Sequence, residues 1–200
     1  MWIKEQLLEG EHVILEPLRI AHVPDLVEAV KDGEAWTLWY ANVPSPDEME
    51  NYVRQAMEGA KQGNIAYAVR SKATDKIVGS TRYYQVESQH RRALIGYTWY
   101  ADSVRCTAIN TECKLLLLKE LFETYDALAA EFRTHRFNVA SRRAIERLGA
   151  QQDGILRNHM VLKNGSVRDT VVYSIIASEW SAVKLNLQHK LSQAKGEGIV

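Results

Sequence analysis

The chain lacks most of the patterns that mark a specialised class. It has two cysteines in 200 residues, Cys106 and Cys113. That is too few for a disulfide-built scaffold, and their spacing fits no zinc pattern, with no histidine close by in sequence. Both are expected as free thiols, Cys113 as a small core residue. Net charge is absent, with 25 basic against 25 acidic side chains, so no whole-molecule field favours nucleic acid or an anionic membrane. The longest purely aliphatic run, Leu115 to Leu118, falls far short of the ~20 residues a spanning helix needs. Residues 1–10 mix charge with apolar side chains and offer no signal-peptide cleavage pattern. Repeats, low-complexity runs, linkers, the Gly-x-Gly-x-x-Gly fingerprint and the Walker pattern are all missing. These absences leave a soluble cytoplasmic protein, with no membrane and no nucleic acid among its expected partners.

What is present is patterning. With 46% hydrophobic residues, a chain of this length supports one domain that buries roughly 70% of its unfolded surface. Residues 12–17 read as a strand stopped by Pro17, and 24–30 as a helix. Ser45-Pro46-Asp47-Glu48 is a helix start with a capping box, and that helix is expected to run to about Gln62 and stop at Gly63. Between these helices the aromatic segment 36–40 reads either as a lid on the core or as a wall of a substrate pocket. The period then changes from 3.6 to 2, giving a hairpin at 65–70 and 76–86 and a strand at 93–100. A strongly apolar helix is expected at 111–125 and a strand at 128–134. A short helix opens at Asn138-Val139-Ala140-Ser141 and stops at Leu148-Gly149. A second hairpin, 156–162 and 167–176, turns at Asn164-Gly165. Trp180, Val183, Leu187 and Leu191 mark a C-terminal helix whose stripe suits either intramolecular packing or a homodimer. Residues 194–200 are expected to fray. The sum is one mixed α/β (α+β) domain over residues 1–178, followed by a helix and tail at 179–200.

The stretch 95–150 organises the rest. A strand feeds the loop 101–110, whose backbone amides open a helix N-terminus, and such a terminus is a ready-made anion site. It points to a phosphate-bearing cofactor. Arg133, Arg136, Arg142, Arg143 and Arg147 flank this groove, and either a cofactor phosphate or a solvated helix face accounts for them without RNA.

The order of elements, the Arg105-x-Thr107-Ala108-x-Asn110 loop, the Asn138-x-x-Ser141 helix start and the Leu148-Gly149 stop together resemble the GNAT superfamily of acyl-CoA-dependent N-acetyltransferases. Within it the chain is most similar to the ribosomal-protein alanine N-acetyltransferase (RimJ/RimL-type) branch, with which the segment 8–18 and Gly154-Ile155-Leu156-Arg157 agree. The resemblance spans about residues 8–178. It implies a central, mostly antiparallel twisted sheet of about seven strands flanked by helices. It also implies acetyl-CoA as co-substrate, no metal, and direct acetyl transfer to a primary amine on a small molecule or a protein N-terminus.

The resemblance assigns the cofactor pyrophosphate to Arg105, Thr107, Ala108, Ile109, Asn110 and Thr111. It gives the pantetheine arm and acetyl carbonyl to the strand end Trp99-Tyr100, with Asn138 and Ser141 beside them. Asn138 also suits a helix N-cap. Ser141 is the expected acid for the leaving thiolate, with Tyr97 and Tyr83 in reserve, because no tyrosine falls between Val139 and Leu148. Glu87 and His90 are the expected bases. Glu112 suits the helix dipole but would repel a phosphate, so it is expected to point aside. Ala108 stands where the family loop usually has Gly, and Asn110 where it has Gly or Ala. Those departures keep a second class open, a non-catalytic acyl-CoA-binding module on the same fold.

Overall fold

The computed structural model describes residues 2–196. Local chemistry explains most element boundaries. Ser45 and Glu48 close the expected capping box ahead of the helix Met49–Glu58 (α2), and a tight turn carries the chain on to Gly63. Asn138 caps Val139–Leu148 (α4) by accepting from the Ser141 amide at 3.0 Å, and Gly149 ends that helix at φ 104°, where any side chain would be strained. Gly165 turns the last hairpin at φ 79°. The other helices are Val23–Lys31 (α1), Ala108–Lys119 (α3), which continues into one wide turn at Glu120–Thr124, and Trp180–Gly196 (α5).

Eight strands form one sheet: β1 (Leu8–Glu9), β2 (Val13–Pro17), β3 (Ile65–Ser71), β4 (Lys76–Glu87), β5 (Arg92–Tyr100), β6 (Ala129–His135), β7 (Gln151–Val161) and β8 (Val167–Ile176). Their spatial order is β1-β2-β3-β4-β5-β6-β8-β7, and every neighbouring pair is antiparallel except β5 and β6. The mixed α/β architecture and tail helix agree with expectation, with one strand more than the seven anticipated. The addition is β1, two residues long and too short to show a period.

Period-2 alternation sends the strand residues to two cores. Leu15, Tyr67, Tyr83, Ile95, Phe132 and Tyr173 lie under α3 and α5 on one face. Ala66, Ala68, Ile77 and Trp99 meet α1 and α2 on the other. The stripe Trp180, Val183, Leu187 is buried, and α5 lies along α3, which uses that stripe within the chain. The fraying expected from residue 194 falls on the end of α5 and, past residue 196, outside the described residues. Cys106 is an exposed free thiol. Cys113 is a buried one, and burial pushes its thiol up to about 12.

The largest correction is the start of α3. The helix begins at Ala108 rather than Thr111, because Thr107 is the cap, its hydroxyl accepting from the Ile109 amide. Ala108 and Asn110 therefore sit in ordinary helical conformation, and the left-handed residue of this loop is Cys106, at φ 61°.

Candidate active site

β5 and β6 run side by side only where they begin. Arg92, Ala93 and Leu94 pair with Ala129, Ala130 and Glu131, and beyond these three residues the strands part. From residue 95 to 100, β5 bonds to β4 alone, and the rest of β6 bonds to β8 alone. The result is a wedge lined by one unpaired strand edge on each side. Such an edge is open to any extended group able to accept and donate along it. A bulge deepens the opening: Tyr97, at φ 50°, and Thr98 both oppose Thr81, between the pairs Ser80–Trp99 and Arg82–Gly96.

Both strands lead from the open end of the wedge into helix N-termini. After β5 the loop is pinned to the end of α1, with the Asp102 and Ser103 amides donating to the Asp32 carbonyl and carboxylate, each at 3.1 Å. Thr107 then donates to the Val104 carbonyl at 2.7 Å and starts α3. The first amides of a helix have no partner within it, so the amides of Ala108 and Asn110 are directed at this end. After β6 comes α4 with its Asn138 cap. The Ser141 side chain is half-buried in the first turn of α4, and its hydroxyl has no partner among the described residues.

Trp99 and Tyr100 end β5, Thr107, Ala108, Ile109 and Asn110 form the start of α3, and Asn138 and Ser141 form the start of α4, each on a segment that follows the parting of the two strands. Other expected residues are placed differently. Arg105 pairs with Asp102 at 2.7 Å on the surface, an exposed contact worth little and readily exchanged. Thr111 is buried and its hydroxyl accepts from Arg147 at 2.9 Å, so its side chain ties α3 to α4. Glu112 does point aside: its carboxylate accepts the amides of Glu11, His12 and Val13 at 2.6–2.9 Å.

Glu87 and His90 occupy the β4–β5 turn, where Glu87 opposes Arg92. That is the closed end of the wedge, roughly 20 Å along β5 from Trp99 at the rise of an extended chain. Both side chains are exposed to solvent there. Nearness in sequence to β5 did not say which end of the strand they adjoin. Tyr83 is wholly buried and donates to the Leu117 carbonyl at 2.6 Å, so its hydroxyl is held in the core. Of the five flanking arginines, Arg133 pairs with Glu131, Arg136 with Asp169, Arg142 with the Tyr173 hydroxyl and Arg147 with Thr111. Arg143 is exposed with no recorded contact.

A splayed sheet with two helix N-termini at one opening invites comparison with known proteins. The family model described as an acetyltransferase (GNAT) domain matches residues 12–151. The chain belongs to the GNAT acetyltransferase family. It is 30% identical over 180 residues to the uncharacterized N-acetyltransferase YoaA of Bacillus subtilis (strain 168), covering 85% of this chain and 96% of that one. A GCN5-related N-acetyltransferase from Brucella melitensis superposes with a TM-score of 0.87 at 28% identity, over 96% of this chain and 87% of that one. The RimL ribosomal L7/L12 alpha-N-protein acetyltransferase in complex with coenzyme A shares the fold, with a TM-score of 0.72 at 20% identity over 86% of this chain and 98% of that one.

In this GNAT acetyltransferase the two faces flanking the wedge differ. Under α3, Lys114 is only 5% exposed and donates to Thr98 at 2.7 Å and Thr81 at 3.2 Å, directly behind the bulge. No carboxylate among the described residues pairs with it, and burial pushes its ammonium down to about 8. On the opposite face no helix covers β6 and β8, and a polar surface remains. Glu131 binds Arg92 and Arg133. Tyr84 stands edge-on to Tyr97, with ring centres 5.0 Å apart, and burial pushes Tyr84 up to about 12. At the mouth, Trp39 and Tyr40 pack on His135, at 5.1 and 5.9 Å between ring centres, and Trp39 reaches Phe137 at 6.0 Å. Of the two readings of the aromatic segment, this placement favours a wall, since Trp39 is half exposed beside the opening. His135 accepts the Phe137 amide at Nδ1 (3.0 Å), which leaves its proton on a buried, unpartnered Nε2. Burial and nearby Arg168 hold its imidazole below the usual histidine range.

Proposed function

We propose that this enzyme binds acetyl-CoA in the wedge and moves the acetyl group directly to a primary amine in a ternary complex. The carrying observation is the parting of β5 from β6 after Leu94, with an open helix N-terminus following each strand. The pantetheine arm is assigned to the free edge of β5 at Trp99 and Tyr100. The pyrophosphate is assigned to the amides of Ala108 and Asn110, with Thr107 and the Ile109 amide it accepts forming the turn and Arg105 released from Asp102 to pair with it. Arg143, exposed at the start of α4, is a further cation for the cofactor's phosphates. No positive φ is demanded at Ala108 or Asn110, so the departures from the usual loop sequence are compatible with binding.

The reaction then needs little from the protein beyond alignment. The amine nitrogen forms a bond to the acetyl carbon, the carbon–sulfur bond breaks, and the proton the nitrogen loses replaces the one that the Ser141 hydroxyl gives to sulfur. Ser141 is assigned as the donor that protonates the leaving sulfur, since its hydroxyl is free at the wedge. Strand amides at the free edge of β5 stabilise the oxyanion. Glu87 and His90 have no part in this step, being at the far end of β5. An α-amine, with a pKa near ~7.8, is roughly a quarter neutral at about pH 7.4 and needs no strong base, whereas a lysine near ~10.4 would.

Thiol release from acetyl-CoA across an amine panel tests the assignment. Ser141→Ala is expected to lower kcat by about 10²–10⁴ while the acetyl-CoA dissociation constant, measured by calorimetry, stays unchanged. Tight binding with no thiol release on any amine would overturn the catalytic reading and favour a binding module.

A further inference from the structure

Two arginines on the face opposite α3, Arg82 beside α2 and Arg168 on β8, are buried without a counter-charge among the described residues. Arg82 of β4 is 9% exposed and Arg168 of β8 is 7% exposed. The Arg82 guanidinium lies over the rings of Tyr97 and Tyr52, at 4.0 and 4.7 Å from their centres, and its Nε and one Nη have no hydrogen-bond partner. Arg168 donates through Nε to the Thr170 hydroxyl at 2.9 Å and enters no ion pair among the described residues. The acids in reach are otherwise engaged or apart. Glu131 is taken by Arg92 and Arg133, and Asp169 by Arg136 and the Asn158 amide. Glu58 lines the same cleft as Arg82 without pairing to it.

A guanidinium cannot shed its charge to escape burial, and burying it without an oxyanion costs several kcal/mol in order of magnitude. Its planar fork matches carboxylate and phosphate oxygens. Arg82 lies over Tyr97 of the edge-on Tyr84–Tyr97 pair, Arg168 is near enough to feel both phenols electrostatically, and Tyr97 is the bulge residue of β5, two residues from Trp99. A cleft of about 330 Å³, lined by Tyr52, Gln55, Asn64, Arg82 and Tyr97 among others, leads to Arg82, a size that suits a small molecule.

We propose that the acceptor is a small-molecule amine bearing an oxyanion, a carboxylate or a phosphate, and that Arg82 and Arg168 hold that anion while the amine faces the acetyl group. This rests on the acetyltransferase reading and names its substrate class.

The test pairs each amine in a panel with a neutral counterpart of the same shape. Amino carboxylates are set against their carboxamides, and amino alkyl phosphates against the corresponding alcohols, over a range of spacer lengths. The anionic member of a pair is expected to be used ~10–100-fold better in kcat/KM, mostly through KM, as charge-assisted hydrogen bonds predict. Whether the carboxylate or the phosphate series shows the larger ratio identifies the source. In Arg82→Gln and Arg168→Gln the preference is expected to collapse while acetyl-CoA affinity stays the same. Equal use of neutral counterparts overturns the inference, as does a preference that survives both substitutions or turnover confined to peptides whatever their charge. The wild-type comparison stands even if a variant fails to fold. If acetyl-CoA neither binds nor releases thiol with any amine, the acetyltransferase reading fails instead. Calorimetry of the anionic compounds alone, against their neutral partners, then decides the arginine site separately.

Discussion

The two faces of the sheet beside β5 bury charge for different reasons. Under α3 the buried charged side chains are hydrogen-bonded within the protein, although Lys114 has no counter-charge among the described residues. Glu112 takes three backbone amides of the β1–β2 turn, and Lys114 bridges two threonines behind the bulge. Across the sheet, Arg82 and Arg168 are as deeply buried with no ionic partner among the described residues, and Arg82 leaves its Nε and one Nη without acceptors. The first pair belongs to the fold; the second is unfinished without a ligand. Equal burial thus says little about role until the partners of each group are counted.

Substitutions on both faces would sharpen or break this contrast. The largest effect is expected from Glu112→Ala, which strands three buried amides and should cost about 3 kcal/mol. That lowers Tm by about 6–12 °C, and a melting curve within a degree of wild type would show that the carboxylate is dispensable to the turn.

Lys114→Met should act in the opposite direction at pH 7, stabilising by about 1–3 kcal/mol, because an uncompensated buried ammonium is replaced by an apolar chain of similar length. Thr81 and Thr98 already lie 2.8 Å apart and satisfy one another once the lysine is gone. The sign with pH follows from the lysine's depressed folded-state value of about 8, against an ordinary ~10.4. Between these values the unfolded chain holds more protons, so wild-type stability rises with pH across that window. The advantage of Lys114→Met should therefore shrink between pH 7 and pH 10 in urea unfolding. A constant advantage would mean that Lys114 stays protonated in the folded protein at both pH values, as it does in the unfolded chain.

The smallest effect is expected for Arg168→Met, between neutral and about 1 kcal/mol stabilising, since relief of the buried unpaired charge is partly offset by loss of its bond to Thr170. A loss as large as that of Glu112→Ala, read by the same unfolding assay, would place Arg168 with the structural charges and erase the distinction between the faces.

Features set by neighbours in the chain were legible in the sequence. The Ser45–Glu48 box, the Asn138 cap, the Gly149 stop and the Asn164-Gly165 turn each depend on a few consecutive residues, and each is formed as read. The start of α3 was missed by three residues because both Thr107 and Asn110 are good caps. Only the geometry, with Thr107 bonded to Val104 and Ile109, shows which one serves. The short β1 carried no period to read. Glu87 and His90 were placed near the chemistry because they precede β5, but an antiparallel hairpin puts them at the end of β5 that stays paired with β6.

By itself, then, the sequence determined which segments are strands and helices, where most helices begin and end, and that a loop rich in open amides follows a central strand. Those are consequences of backbone sterics, periodic burial and capping, all of short range. Only the tertiary structure decided that β5 and β6 separate after three residues, and that arginines 86 positions apart in number (168 − 82) share the face of the sheet opposite α3. Strand order and register bring together residues that no local rule relates, and the ligand's place is set by what those residues leave unpaired.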